Sequence, residues 1–182
     1  MSWQRRSPRQ GLEYAVARWW ILVLTTLPPA CAAAPDDGAR VAIAAGEQTT
    51  FQTSFPPVAA FLEHRCGTLD CHGQIGRNLR LYGYDGLRLG AADVPGGEPT
   101  TSDEIDADFR SVTGLEPELL NAVVADGGAH PERLTLVRKE RGTEHHKGGA
   151  LVMAGDAQDR CLLGWLAGAV DDTACADALK TP

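Results

Sequence analysis

Two cysteines and a histidine lie close together at positions 66–72, in the order Cys66, Cys71, His72. Thiols in such a pattern can add across the two vinyl groups of haem, and a histidine directly after the second cysteine can bind the haem iron as proximal ligand. Four residues separate the cysteines here, whereas the usual attachment site has two, so the loop between them must bulge. The pattern predicts one covalently attached haem c.

Two other chemistries compete for the same three side chains. Zinc accepts sulfur and nitrogen ligands in a tetrahedral array, so a zinc ion could use these residues together with His145 or His146. The directly adjacent pair Cys71-His72 is awkward for a single ion. Alternatively, Cys66 and Cys71 form a structural disulfide, which export to an oxidising compartment would favour, in a protein with no redox role. We favour haem over both alternatives.

A haem iron also needs a second axial ligand or an open face. The candidates are His64, His130, His145, His146 and Met153. Neither His64 nor His130 sits where a loop easily passes across the far haem face. His145 and His146 precede Gly148-Gly149, which permit close approach to a flat ligand. Met153 is the alternative, and a methionine ligand would raise the reduction potential relative to histidine.

The order of these features resembles a known group of proteins. The resemblance covers roughly residues 55–172 and rests on Cys71-His72-Gly73, Leu87-Arg88-Leu89, an apolar helix, the segment 134–139, His146-Lys147-Gly148-Gly149, and the ending from Trp165 to Gly168. It is similar to the monohaem cytochrome c domains of secreted myxobacterial and planctomycete proteins. The resemblance implies a mainly α, cytochrome c-like domain with long loops around haem, which carries electrons and is not an enzyme. It also implies that His146 is the distal ligand.

The first thirty residues are typical of an export signal. Four arginines precede an apolar run at residues 19–27, and small residues follow at 30–34. The run is shorter than the roughly 20 residues that a permanent membrane helix needs. We therefore predict a signal peptide at residues 1–30 and an exported protein.

The end of this signal leaves two possibilities for Cys31. The sequence before it resembles a bacterial lipoprotein signal, in which such a cysteine becomes the lipidated N-terminus. Cleavage among Ala32, Ala33 and Ala34 would instead discard it. If Cys31 is lipidated, four of the five cysteines remain, and this even number leaves no unpaired thiol in an oxidising compartment. We thus expect a periplasmic protein or an outer-membrane lipoprotein of a diderm bacterium.

Length and charge limit the remaining function classes. Removing residues 1–30 leaves 152 residues, enough for one domain of ordinary size. The signal takes four of 17 basic and one of 24 acidic residues, leaving 13 and 23 and a net charge near −10 with histidines neutral. Such an acidic chain is a poor partner for nucleic acid. A redox protein of unknown identity is the expected partner.

The pattern along the chain predicts helices joined by long loops. Residues 31–54 are small and polar and are predicted to be a flexible tether, with the domain at 55–182. We predict helices from about Pro56 into Cys66, from Ser102 to about Val112, from Pro117 to the stop at Gly127-Gly128, and a last helix from about Asp156. The glycine-rich segment after His72 is predicted to be a loop, with a small β-hairpin as the alternative.

The last two cysteines have no histidine at ligand spacing nearby. Cys161 lies in the predicted last helix and Cys175 in the tail after it. We predict that they form a structural disulfide that ties the tail to this helix.

Overall fold

The computed structural model describes residues 50–91 and 93–180, and this part of the chain is mainly helical. After a helical turn at residues 50–53, the elements are α1 (Pro56–Cys66), α2 (Ser102–Thr113), α3 (Pro117–Ala125), a 3₁₀ turn (Pro131–Arg133), α4 (Thr135–Glu140), α5 (Ala157–Leu166) and α6 (Asp172–Ala178). Extended pairing among these residues is limited to isolated bridges, Thr68 with Gly86 and Tyr82 with Leu87. The predicted mainly α class is confirmed for these residues.

Helix α1 is central, since it packs against α2, α5 and α6. Its prolines stand in the first turn, where the missing N–H costs no helical hydrogen bond. Phe61 and Leu62 are fully buried in the same core as Trp165 and Leu166 of α5. The predicted helix that runs into Cys66 is therefore confirmed, and it places that cysteine at the end of a buried element.

An aromatic cluster joins the beginning of the described chain to α5. The ring of Phe51 stacks on Trp165 with the ring centres 4.0 Å apart, and the indole Nε1 donates a hydrogen bond to the Phe51 carbonyl at 2.9 Å. The predicted flexible tether is therefore wrong for residues 50–54, because two buried aromatic residues, Phe51 and Phe55, anchor them. The rest of the predicted tether, residues 31–49, and the predicted signal peptide at residues 1–30 lie outside the described range.

In the middle of the domain, the helix boundaries predicted from the sequence agree with the structure. Helix α2 begins with a reciprocal capping box, in which Thr101 accepts from the Glu104 N–H and the Glu104 carboxylate accepts from the Thr101 N–H. The predicted last helix begins after Asp156 as expected but is followed by α6, which Asp171 caps. The short α4 was also not predicted as a helix.

A buried ion pair holds the long connection between residues 88 and 104. The guanidinium of Arg88 donates to both carboxylate oxygens of Glu104, at 2.8 and 3.1 Å, and to the carbonyls of Glu98 and Pro99 at 2.7 and 3.1 Å. Burial raises the pKa of Glu104, but hydrogen bonds from Arg88 and the backbone outweigh that effect and lower it to about 2. The pair therefore stays charged and anchors the loop to α2.

The predicted disulfide between Cys161 and Cys175 is confirmed, and it links α5 to α6 with the Cα atoms 4.7 Å apart.

Replacing both cysteines with alanine should lower the free energy of unfolding by about 3 kcal/mol, because the bridge closes a loop of about 15 residues in the unfolded chain. Denaturant unfolding without reductant measures this loss. Reductant should destabilise the wild type by a similar amount and leave the variant unchanged; a variant as stable as the oxidised wild type would contradict the prediction.

Within the described residues, we find no helix with the length and apolar character required to cross a membrane.

Candidate cofactor site

A cavity of about 440 Å³ lies at the C-terminal end of α1. Pockets that hold small molecules and cofactors span about 300–1,000 Å³. The lining residues are Cys66, His72, Gly76, Arg77, Asn78, Leu79, Leu115, Thr135, Leu136, Lys139, Glu140, His146 and Leu151. Four leucines make much of the wall apolar, while two histidines and one thiol supply groups that can bind a metal or bond to a cofactor.

The loop that carries His72 is fixed by its own backbone. The N–H of His72 donates to the Cys66 carbonyl at 2.8 Å, and the His72 carbonyl accepts from the Leu81 N–H at 3.0 Å. A side chain on Gly73 or Gly86 would overlap the carbonyl of Gly67, so the loop can close this tightly only with glycine at these positions. The bulge expected for a four-residue spacer thus takes the form of a compact turn.

The His72 ring is held in one orientation and one tautomer. Its Nδ1 lies 2.9 Å from the carbonyl oxygen of Leu79, and since a carbonyl can only accept, Nδ1 carries the proton. Nε2 is left with a free lone pair, the arrangement found in metal-binding histidines. Burial lowers the pKa of His72 although the Leu79 bond opposes this, so the ring is neutral at pH 7.

A second loop brings His146 to the same cavity. It leaves α4 at Glu140 and returns to it, because the N–H groups of Leu151 and Val152 both donate to the Glu140 carbonyl, at 2.9 and 3.0 Å. The ring Nδ1 of His146 lies 3.4 Å from the carbonyl of Gly149. A side chain on Gly148 would lie 3.2 Å from the His146 ring, so glycine leaves room for it.

The two imidazoles face each other. The ring centres of His72 and His146 are 5.9 Å apart and the ring planes differ by 24°. Metal–imidazole bonds are about 2 Å long, so two imidazoles on opposite sides of one metal ion have ring centres separated by a distance of this order. The separation of the two ring centres is compatible with two imidazole ligands on one metal ion.

The two cysteines differ in their positions. Cys66 is buried and lines the cavity, whereas Cys71 is half-buried and does not. Burial, together with the nearby Glu140 carboxyl, raises the pKa of the Cys66 thiol to about 12. The thiol is therefore protonated at neutral pH in the metal-free protein.

The alternatives to haem find little support in this arrangement. Cys66 and Cys71 carry free thiols, so the alternative disulfide is not formed. Over residues 50–91 and 93–180 no three histidine, cysteine or acidic side chains are grouped closely enough to hold a metal ion.

The other candidate axial ligands lie away from the cavity. Met153 is 78% exposed, and His145 is exposed and absent from the cavity wall. His64 pairs with Asp85 at 3.5 Å, and His130 is exposed on the 3₁₀ turn. Of the five candidates, the structure brings only His146 to His72.

Sequence reasoning did not identify the part of the cavity wall that α4 supplies. Leu136, Lys139 and Glu140 all line it. The sequence does contain an indication of this wall, because Leu136 and Glu140 are four residues apart and would share one face of a helix.

The chain was compared with known proteins in three ways. No protein-family model matches it, and no significant match was found among characterised proteins or solved structures.

Proposed function

We propose that this protein is an exported c-type cytochrome that carries one covalently bound haem and transfers single electrons. The observation that carries the proposal is the pairing of His72 with His146 across a cavity that Cys66 also lines. A directly adjacent cysteine and histidine, with a second cysteine close by, resembles the residue pattern of covalent haem attachment, with four residues between the cysteines in place of the usual two. The likeness to monohaem cytochrome c domains of secreted proteins is part of this proposal.

Each residue has a defined role in it. Cys66 and Cys71 would form the thioether bonds, His72 would be the proximal ligand and His146 the distal ligand. Haem would supply reversible one-electron chemistry at its iron, and His72 and His146 together would leave no open position there for a substrate. The role is therefore electron transfer rather than catalysis.

The protein contributes a fixed environment. The Leu79 carbonyl keeps the His72 proton on Nδ1 and makes Nε2 a better donor to a metal. Leu79, Leu115, Leu136 and Leu151 exclude water from the cavity walls. Axial ligand identity, hydrogen bonding and burial are the levers by which proteins set a haem potential, and these residues supply all three.

Export and membrane attachment complete the proposal. They rest on the signal at residues 1–30 and on Cys31 as a lipidation site, both outside the described range. The proposed location is the periplasm, or the outer membrane through a lipid on Cys31, with a redox protein as partner.

Absorption spectra test the function and the distal ligand together. Protein produced with cytochrome maturation machinery should show a low-spin haem spectrum without the weak near-infrared ferric band of methionine ligation. His146→Ala should convert it to high spin, because one axial position loses its ligand. Met153→Leu is the matched control and should leave the spectrum unchanged, since Met153 is on the surface.

Two results would count against these assignments. A colourless protein would reject the cytochrome proposal. A low-spin spectrum that survives His146→Ala but not Met153→Leu would transfer the distal role to Met153.

A further inference from the structure

Glu140, the last residue of α4, is a buried acid without a partner. The side chain is 4% exposed, and neither Oε1 nor Oε2 has a hydrogen-bond partner. Leaving a buried polar group unpaired costs about 1–3 kcal/mol, and folded proteins contain few such groups. Glu140 therefore destabilises this fold where it stands, and a role at the site it lines would account for its presence.

That site is the proposed haem cavity. Glu140 lines it together with His72 and His146, and it lies close enough to Cys66 to raise the pKa of that thiol. Its carboxyl oxygens make no hydrogen bond to either histidine. The acid is therefore near the cofactor position but separate from the iron ligands.

Burial, assisted by nearby negative charge, keeps this acid neutral. The ionisable groups that interact with it are Cys66 of α1, Arg141 beside it in the chain, and Asp156 and Asp159 at the start of α5. His72, His146 and Lys139 line the same cavity. Arg141 is committed to Asp159, with a nitrogen–oxygen distance of 2.7 Å. Burial, then the charge of Asp159, raise the pKa of Glu140 well above its usual range, although Arg141 opposes them.

Building on the proposed function, we propose that Glu140 couples proton release to oxidation of the haem. When one electron leaves the iron for an external one-electron acceptor, the Glu140 O–H bond breaks, the carboxylate keeps the electron pair and the proton passes to water. Reduction reverses both transfers. The exit lies at the cavity wall formed by Gly76, Arg77 and Asn78, all of which are exposed.

The physical basis is the charge gained by the iron. Oxidation adds one positive charge to a site with apolar walls, where charges interact more strongly than in water. That charge favours the carboxylate, so the pKa of Glu140 is lower in the ferric than in the ferrous protein. Between the two pKa values, the ferric to ferrous ratio at fixed potential should rise tenfold per pH unit. For one electron this equals a fall in the reduction potential of 59 mV per pH unit. Outside this window the potential should be constant.

Potentiometric titration of the haem-loaded protein across pH 5–9 tests the coupling. In the wild type, the potential should fall with rising pH between the two pKa values. Glu140→Gln keeps the shape of the side chain but cannot ionise, so this pH dependence should be lost. Glu118→Gln is the matched control, because Glu118 is exposed at the start of α3 and should keep the wild-type slope. Infrared difference spectra between the two redox states should contain a carboxylic acid band that only Glu140→Gln removes.

The outcomes separate the two proposals. A protein without haem would reject the proposed function and this inference with it. A haem protein whose wild-type potential is independent of pH would overturn the inference alone, even if Glu140→Gln failed to fold. The same slope in wild type and Glu140→Gln would assign the proton to another group and also overturn it.

Discussion

The double variant Cys66→Ala/Cys71→Ala should carry no haem that survives denaturation. Thioether bonds are covalent, so wild-type haem should remain with the denatured polypeptide and stain on a denaturing gel near the mature mass. Without the thiols, any haem held by His72 and His146 alone should be lost on unfolding. The expected change is from nearly complete to undetectable staining.

The other two described cysteines provide the matched control. Cys161→Ala/Cys175→Ala removes the same number of sulfur atoms and should keep its stained haem, because that pair lies in the α5–α6 disulfide and does not line the cavity. Equal staining of the Cys66/Cys71 variant and wild type would rule out covalent attachment through these two cysteines.

Arg88→Ala should lower the free energy of unfolding by about 3–5 kcal/mol. The substitution leaves the buried charge of Glu104 without its cation, and breaking a buried pair from one side costs this much. It also removes the donors to the carbonyls of Glu98 and Pro99. Denaturant unfolding at pH 7 measures the loss.

A surface arginine gives the control. Arg133 faces Asp126 at 3.7 Å with both side chains largely in solvent, so Arg133→Ala should cost about 1 kcal/mol or less. Comparable losses in the two variants would show that burial does not strengthen the Arg88 pair.

The same pair predicts a dependence on pH. The pKa of Glu104 is about 2 in the folded protein and about 4.3 in an unfolded chain. A lowered pKa means that the stabilisation is fully present above about pH 4 and is lost as the pH falls through 2. Arg88→Ala should weaken this acid dependence, because the Arg88 bond is the largest effect that lowers the pKa.

Local signals in the sequence predicted much of the helical framework. The capping residues Thr101 and Glu104 and the proline at 117 act within one turn of the helices they start, so their effect can be recognised without knowing the tertiary fold. The cysteine pair 161 and 175 was equally accessible from spacing alone. Helix α4 was missed because six residues carry too short a periodic pattern.

The candidate site was less accessible, because it depends on contacts between distant segments. The positions of His72 and Cys66 on one wall follow from a local turn, but the approach of His146 depends on a loop that begins and ends at Glu140. The burial of Glu140 and the pairing of Arg88 with Glu104 likewise arise only when separate segments pack. Residue type and spacing could nominate His146 but could not place it.

The aromatic contact between Phe51 and Trp165 has a consequence for the order of events during biosynthesis. These residues are 114 positions apart, so the core cannot close until nearly the whole domain has been synthesised. The loop with Cys66 and Cys71 emerges long before Trp165 does. Under the proposed function, a maturation enzyme would therefore meet these thiols on an open chain, and haem attachment would precede burial of Cys66 rather than compete with it.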